Sequence, residues 1–229
     1  MHALTGTLAA ATMLLYGGVA LADNPSPSML DESERATALD LIPEDMGGFV
    51  LHDEPRPFRD KTFLDPEEKD VDLSAFDGTL SVVNFWATWC TPCRRELPYF
   101  DDLKADLAED GVRVVTISLD KGGRNKAAGY LEGKGLDLPA YSDPKANLSR
   151  QMGILGLPVT AILGPDGREI GRLTGDAKWN SPEAKDWLRH LASATDAAAA
   201  TPAPSEPEAR PGLLGGVMDK LRSWWRPAS

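Results

Sequence analysis

Cys90 and Cys93 are the only cysteines in the chain, and the residues between them are Thr91 and Pro92. Two intervening residues are too few to staple distant parts of a fold, but they suit thiol–disulfide exchange between neighbouring sulfurs. The thiolate is the attacking species, and a cysteine at the start of a helix has its anion stabilised by unpaired backbone N–H groups and the macrodipole. Cys90 takes that place. Cys93 lies one turn further in, four residues before Leu97 on the core-facing stripe, and is expected to be more buried and to resolve a mixed disulfide formed by Cys90. A zinc half-site and a static disulfide are the competing readings. Zinc needs two further ligands, and the only histidines are His2, His52 and His190, with no second CxxC pair. No metal and no separate cofactor is expected, the redox group being the Cys90–Cys93 pair itself. Thr91 and Pro92 add no positive charge beside Cys90, which places the pair toward the reducing end of the scale, at about −270 to −200 mV.

Glu96 follows Cys93 by three residues, so both project from one helical face, and no Lys or Arg stands at 92, 93, 99 or 100 to pair with it. A carboxyl group there is expected to have a raised pKa and to shuttle the proton of Cys93; an ordinary solvated glutamate is the alternative. Trp89, Thr91 and Pro92 border the dithiol, and Trp89 is read as shield and docking surface, whereas Trp86 is read as core. Leu157-Pro158 is the other candidate wall for substrate binding. A cis bond there would present the Leu157 backbone for strand-like pairing with a client, and a trans proline in a loop is the alternative.

These residues need a scaffold to bring them together. Leu80–Trp86 and Val112–Leu119 read as buried strands, with short strands at Phe49–Leu51 and Lys61–Leu64 and a turn at 72–78. Leu97, Phe100, Leu103 and Leu107 recur at helical spacing, which predicts a helix over Thr91–Glu109, kinked at Pro98 and stopping before Gly111. Asn125–Glu132 reads as helical, and Asp143 with Pro144 reads as the cap and first position of a helix ending at Gly153. Val159–Leu163 and Glu169–Leu173 flank Gly164-Pro165-Asp166-Gly167 as an antiparallel hairpin, and Ser181-Pro182-Glu183 opens a last helix carrying Trp187, Leu188 and Leu191. The alternation predicts a layered α/β domain over 48–193.

The formal net charge of −11 in 229 residues argues against a nucleic-acid partner, since phosphate binding needs a positive face. Residues 1–22 are predicted to be a signal peptide or an uncleaved N-terminal anchor, which sends the protein outside the cytoplasm. Residues 23–47 read as a flexible leader with one short helix at Glu32–Ala38, and 194–212 as an Ala/Pro-rich linker. Residues 213–226 carry Leu213, Leu214, Val217, Met218, Leu221, Trp224 and Trp225 on one stripe with Lys220, Arg222 and Arg226 beside it, an amphipathic helix suited to contacting a membrane surface.

The run Val83-Asn84-Phe85-Trp86-Ala87-Thr88-Trp89-Cys90-Thr91-Pro92-Cys93-Arg94-Arg95-Glu96-Leu97-Pro98 resembles the signature of the TlpA, ResA and CcmG group of thioredoxin-like proteins. The resemblance covers about residues 48–192. It implies a thioredoxin fold: a central mixed β-sheet flanked by helices, with a βα insertion between Gly135 and Met152 ahead of the cis-proline strand and an N-terminal extension. It further implies periplasmic reductase activity, Cys90 as nucleophile, Cys93 as resolving thiol, Glu96 as active-site acid and Pro158 as the cis-proline. Asn84 stands where thioredoxin itself has a buried aspartate, which makes Glu96 the better candidate for proton handling. Pro158-Val159-Thr160 departs from the Pro-Glu-Thr typical of haem-maturation members and favours TlpA, as does the 175–184 segment. Resemblance to TlpA implies protein clients such as a copper chaperone or the copper subunit of cytochrome oxidase, and a membrane electron donor of the DsbD or CcdA type. Reduction of apocytochrome c, peroxide reduction and copper chaperoning are the alternatives.

Overall fold

The computed structural model describes residues 30–59 and 61–200. Its strands are β1 (Val50–Arg56), β2 (Thr62–Leu64), β3 (Asp70–Asp72), β4 (Leu80–Trp86), β5 (Val112–Ser118), β6 (Tyr141–Ser142), β7 (Val159–Leu163) and β8 (Glu169–Thr174), and its helices are α1 (Glu32–Asp40), α2 (Thr91–Asp106), α3 (Gly123–Lys134), α4 (Asn147–Gln151) and α5 (Pro182–Ala200). The strands form one mixed sheet in the order β1-β8-β7-β4-β5-β6-β2-β3. Every residue of β4 is buried, as an apolar run covered on both faces must be. Leu80, Val82 and Trp86 join Leu97, Phe100, Leu103, Trp187 and Leu188 on one face, and Val83 and Phe85 join Phe63, Phe76, Leu148 and Met152 on the other. The period-two alternation of β4 thus divides the core into its two layers.

Strand direction decides where the site lies. β4, β5 and β6 run parallel, β7 runs antiparallel to β4, and β8 runs antiparallel to β7. The loops after β4, β5, β6 and β8 and the loop before β7 therefore open at one end of the sheet. Those loops hold Cys90, Asp120, Pro158 and residues 175–180, and Cys93 follows in the first turn of α2.

The hairpin forms as its turn residues dictate. Gly167 has φ 70° and its N–H bonds the Gly164 carbonyl, while the Asp166 carboxylate accepts from the Arg168 N–H at 3.0 Å. On β8, Gly171 meets a tighter constraint, because a Cβ there would lie 2.6 Å from the Phe49 ring and 2.7 Å from the Val50 carbonyl oxygen. Gly171→Ala is expected to destabilise the protein by about 1–3 kcal/mol in chemical denaturation, since backbone must shift to admit it.

The short helix expected at Glu32–Ala38 forms as α1, but residues 30–47 correct the expectation of a flexible leader. Leu30, Ala38 and Met46 are buried in the main core, and Trp187 donates its indole N–H to the Ala38 carbonyl at 2.9 Å. Arg35 bonds the carbonyls of Leu51 and His52. Asp31 and Glu34 form a reciprocal capping box that starts α1, the side chain of each bonding the backbone N–H of the other. The domain boundary at 193 is likewise too early. α5 runs to Ala200, with Ala194 and Thr195 buried, because alanine is the strongest helix former and nothing in 194–200 breaks the turn. Asp143 is not the N-cap of a helix starting at Pro144. Residues 144–145 form a turn, Ala146 takes φ 54° ahead of α4, and the Asp143 carboxylate accepts from Asn147 and Ser149 further along. β3, unforeseen in the sequence, pairs with β2, and β6 and α4 occupy the segment where the sequence predicts an additional strand and helix. The signal or anchor at 1–22 and the amphipathic stretch at 213–226 lie outside the described residues.

Candidate active site

Cys90 is the N-cap of α2, with extended backbone at φ −85° and ψ 105°, and its sulfur accepts from the Cys93 N–H at 3.3 Å. The turn before it is closed by the Cys90 N–H on the Ala87 carbonyl at 3.0 Å. Pro92 contributes no N–H to the first helical turn, so the donor that meets the sulfur is that of Cys93. Cys90 and Cys93 are joined as a disulfide, with Cα atoms 5.3 Å apart. Cys90 keeps 5% exposure and Cys93 none, which gives the asymmetry in access the spacing predicts, with a narrower opening at Cys90 than that of a free surface thiol. Trp89 beside it is 66% exposed, and Trp86 is fully buried against Tyr130, so the two tryptophans divide between surface and core as expected. Thr91 is exposed and accepts from the Arg94 guanidinium at 3.2 Å.

Glu96 is 1% exposed. Its Oε1 accepts from the Ala177 N–H at 3.1 Å and from the Trp179 indole N–H at 3.0 Å, while its buried Oε2 has no protein partner. Burial pushes its pKa up to about 8, against the opposing pull of those two hydrogen bonds. Oε2 is the oxygen that carries the proton, because Oε1 already accepts twice. The alternative of a solvated helix glutamate is excluded by this burial. Trp179 itself is fixed by stacking on Phe100 with centroids 5.6 Å apart.

The Leu157–Pro158 bond is cis. Phe85 pairs with Val159 in the β4–β7 register, which sets Pro158 beside Trp86 and the turn that leads to Cys90. The Pro158 carbonyl accepts from the Gly175 N–H at 3.0 Å, tying this wall to the loop that covers Glu96. Leu157 is half-buried, and Leu155 just before it is 99% exposed. Asn84 is buried and donates to the Thr160 hydroxyl at 3.0 Å, so the central strand offers no carboxylate at that position.

Sequence reasoning missed two groups. Asp120, fully buried at the end of β5, accepts from the Thr88 N–H at 2.7 Å and hydroxyl at 2.8 Å, from the Ser118 hydroxyl at 3.0 Å, and pairs with Lys126 at 2.9 Å. It thereby pins the turn that carries Cys90; its pKa is lowered because these donors outweigh its burial. The signal was present as an aspartate closing a β-branched run. Trp179 was visible only as part of a segment quoted for its resemblance. Among the described residues no group of three or more His, Cys, Asp or Glu could hold a metal ion, and His52 is engaged with Glu169 at 2.7 Å.

The profile of the AhpC/TSA family matches residues 56–168, a span that includes both cysteines, Glu96 and Pro158. The chain is 35% identical over 101 residues to the thiol-disulfide oxidoreductase ResA of Oceanobacillus iheyensis, covering 44% of this chain and 52% of that one. It is 28% identical over 113 residues to ResA of Bacillus subtilis, covering 48% and 62%. The chain thus spans between half and two thirds of the length of these curated relatives. Among solved structures, it superposes on a Chlorobium tepidum protein assigned as thiol:disulfide interchange protein DsbE with TM-score 0.52 and 25% identity, over 64% of this chain and 99% of that one. It also superposes on a secreted thiol-disulfide isomerase from Corynebacterium glutamicum with TM-score 0.54 and 23% identity, over 67% and 95%, a likeness of fold.

Proposed function

We propose a thiol–disulfide oxidoreductase that reduces disulfides in client proteins, because residues 56–168 match the AhpC/TSA family profile and the chain places an asymmetric dithiol at a helix start. The observation that carries this reading is the Cys90 sulfur in the N-cap position, bonded by the Cys93 N–H, with Cys93 wholly buried behind it. In the reduced chain the Cys90 thiolate attacks one sulfur of a client disulfide, forming a mixed disulfide and releasing one client thiolate. In the fraction of chains in which its carboxyl is ionised, a fraction that grows as pH approaches about 8, Glu96 then takes the proton of Cys93, and the Cys93 sulfur attacks Cys90, releasing the second client thiolate and closing the Cys90–Cys93 disulfide. Two electrons pass to the client. A membrane dithiol donor of the DsbD or CcdA type returns them.

Trp89, Thr91, Pro92, Leu157 and Pro158 form the surface on which the client lies, the Leu157 backbone pairing with an extended segment. Peroxide reduction is disfavoured because the family's peroxide-reducing chemistry would need an attacking cysteine in another loop, and this chain has two cysteines in all, both in CxxC. The protein acts in the periplasm, delivered by residues 1–22 as signal or anchor, on copper-centre clients in cytochrome oxidase assembly, and residues 213–226 add a contact with the membrane surface. Support for the copper pathway is the Pro158-Val159-Thr160 sequence after the cis bond.

Cys93→Ser tests client and chemistry together. The variant is expected to hold clients covalently on Cys90 in stoichiometric amounts, released by dithiothreitol, and mass spectrometry of the trapped proteins is expected to return copper-centre assembly proteins. Recovery of apocytochromes c would move the protein to haem attachment. No covalent adduct at all would sink the reductase reading.

A further inference from the structure

β5 is paired along its whole length on one side only. It meets β4 over all of Val112–Ser118, but β6 only at Ile117 and Ser118. The Leu119 N–H bonds the Trp86 carbonyl of β4, while the Ser118 carbonyl accepts from the Asp143 N–H on the β6 side. Backbone groups alternate in direction along a strand, so the N–H and carbonyl of Val112 and Val114 face the row of β6, where they have no hydrogen-bond partner among the described residues. A groove of about 320 Å³ runs along this stretch. Val112–Val115 line it, with Phe76 and Tyr141 of one core layer on one side and Lys104 and Ala108 at the end of α2 on the other.

A β-branched strand with open N–H and carbonyl groups is a template for pairing, and folded proteins cover such edges. Because this edge is recessed between two layers, it suits a single extended segment better than the sheet of a second copy. The end of α5 brings such a segment to it. Arg189 of α5 pairs with Asp110 at 2.8 Å, and a Cβ on Gly111, itself a lining residue of the groove, would lie 3.9 Å from the Asp196 carboxylate. Ala200, where α5 ends, is about 6 Å further along the helix. Three extended residues beyond it span about 10 Å, enough to return to Val112.

We propose that residues 201–205 of the chain's own tail occupy this groove as a short strand parallel to β5, continuing the row of β6. In Thr201-Pro202-Ala203-Pro204-Ser205-Glu206-Pro207 the prolines are placed for pairing on one side only. With the N–H groups of Ala203 and Ser205 turned toward the Val112 and Val114 carbonyls, Pro202, Pro204 and Glu206 turn away, where a missing N–H breaks no ladder bond. Pro207 falls on the inward side and ends the ladder. Covalent continuity with α5 keeps the segment at high effective concentration, so a few main-chain hydrogen bonds suffice. The docked segment lies on the β5 side of the sheet, across β4 from β7 and its cis-proline wall, and leaves that wall open.

Hydrogen exchange of the Val112 and Val114 amides in the full-length oxidised protein, followed by NMR, tests this. Both amides are expected to be protected in the parent. Ala203→Pro/Ser205→Pro, which removes the two inward N–H groups, is expected to speed their exchange by about tenfold or more. Glu206→Pro is expected to leave it unchanged, because that N–H faces outward. The amides of β4 keep the parent's protection in both variants, which separates lost docking from lost folding. Val112 and Val114 amides that exchange in the parent as fast as unpaired ones, or protection that survives Ala203→Pro/Ser205→Pro, would overturn the proposal. So would an equal loss with Glu206→Pro, or protection that rises with protein concentration, which would place a second copy in the groove instead.

Discussion

Glu96→Gln flattens the dependence of stability on pH and slows the release of client. The Glu96 carboxyl has an ordinary pKa of 4.5 in the unfolded chain and one of about 8 in the folded protein. Between those values the folded chain holds a proton that the unfolded chain has lost, so stability is fully present below about pH 4.5 and falls as pH rises toward 8. The slope approaches about 1.4 kcal/mol per pH unit inside that window. Glutamine keeps the acceptor for Ala177 and Trp179 but has no proton to lose. Denaturant unfolding of the oxidised protein at about pH 5, 6.5 and 8 is expected to show a steep decline for the parent and a shallow one for the variant. Resolution of the mixed disulfide is expected to slow by about 10²-fold or more, because the Cys93 proton loses its acceptor. A variant with the parent's slope in unfolding would mean that Glu96 is ionised in the folded protein.

Cys90→Ser removes insulin reduction by on the order of 10³-fold or more, because a serine hydroxyl is not ionised at neutral pH and cannot act as the leaving group in exchange. Cys93→Ser also loses turnover, but it retains the first attack and stops with one client bound. The two variants therefore separate attack from resolution, which the exposures of 5% at Cys90 and 0% at Cys93 assign to different sulfurs. Equal covalent trapping of client by both variants would remove that assignment.

Much of this site was legible because its signals are local. The CxxC pair, the apolar run into it and the i+3 glutamate are sequence neighbours whose geometry follows from a strand feeding a helix, and the hairpin at 164–167 follows from the turn chemistry of its residues. What escaped depended on distant partners. The burial of Glu96 is completed by Ala177 and Trp179, more than eighty residues away, and no spacing rule links them. Asp120 was equally hidden, because its role is defined by Thr88 across two adjacent strands. In residues 30–47 the short helix was legible but its docking was not: polar and acidic residues suggested a loose leader, whereas three buried side chains and the bond from Trp187 to the Ala38 carbonyl hold the segment on the core, with a capping box at Asp31 and Glu34 starting the helix. That capping box was in the sequence and could have been read. The helix from Asp143 failed for a further reason: Pro144 satisfied the preference for the first helical position, but the backbone spends two residues in a turn before α4 begins.

The sulfur at the start of α2 must be an anion stabilised by backbone donors, with its neighbour shielded. Alkylation of the reduced protein by iodoacetamide across about pH 4 to 10, with each cysteine followed separately by mass spectrometry, measures this directly. Cys90 is expected to react with an apparent pKa well below about 8.5, the value of a free cysteine, and Cys93 to be protected throughout neutral pH. Matching rates at the two positions, or a Cys90 pKa at or above that of a free cysteine, would contradict it.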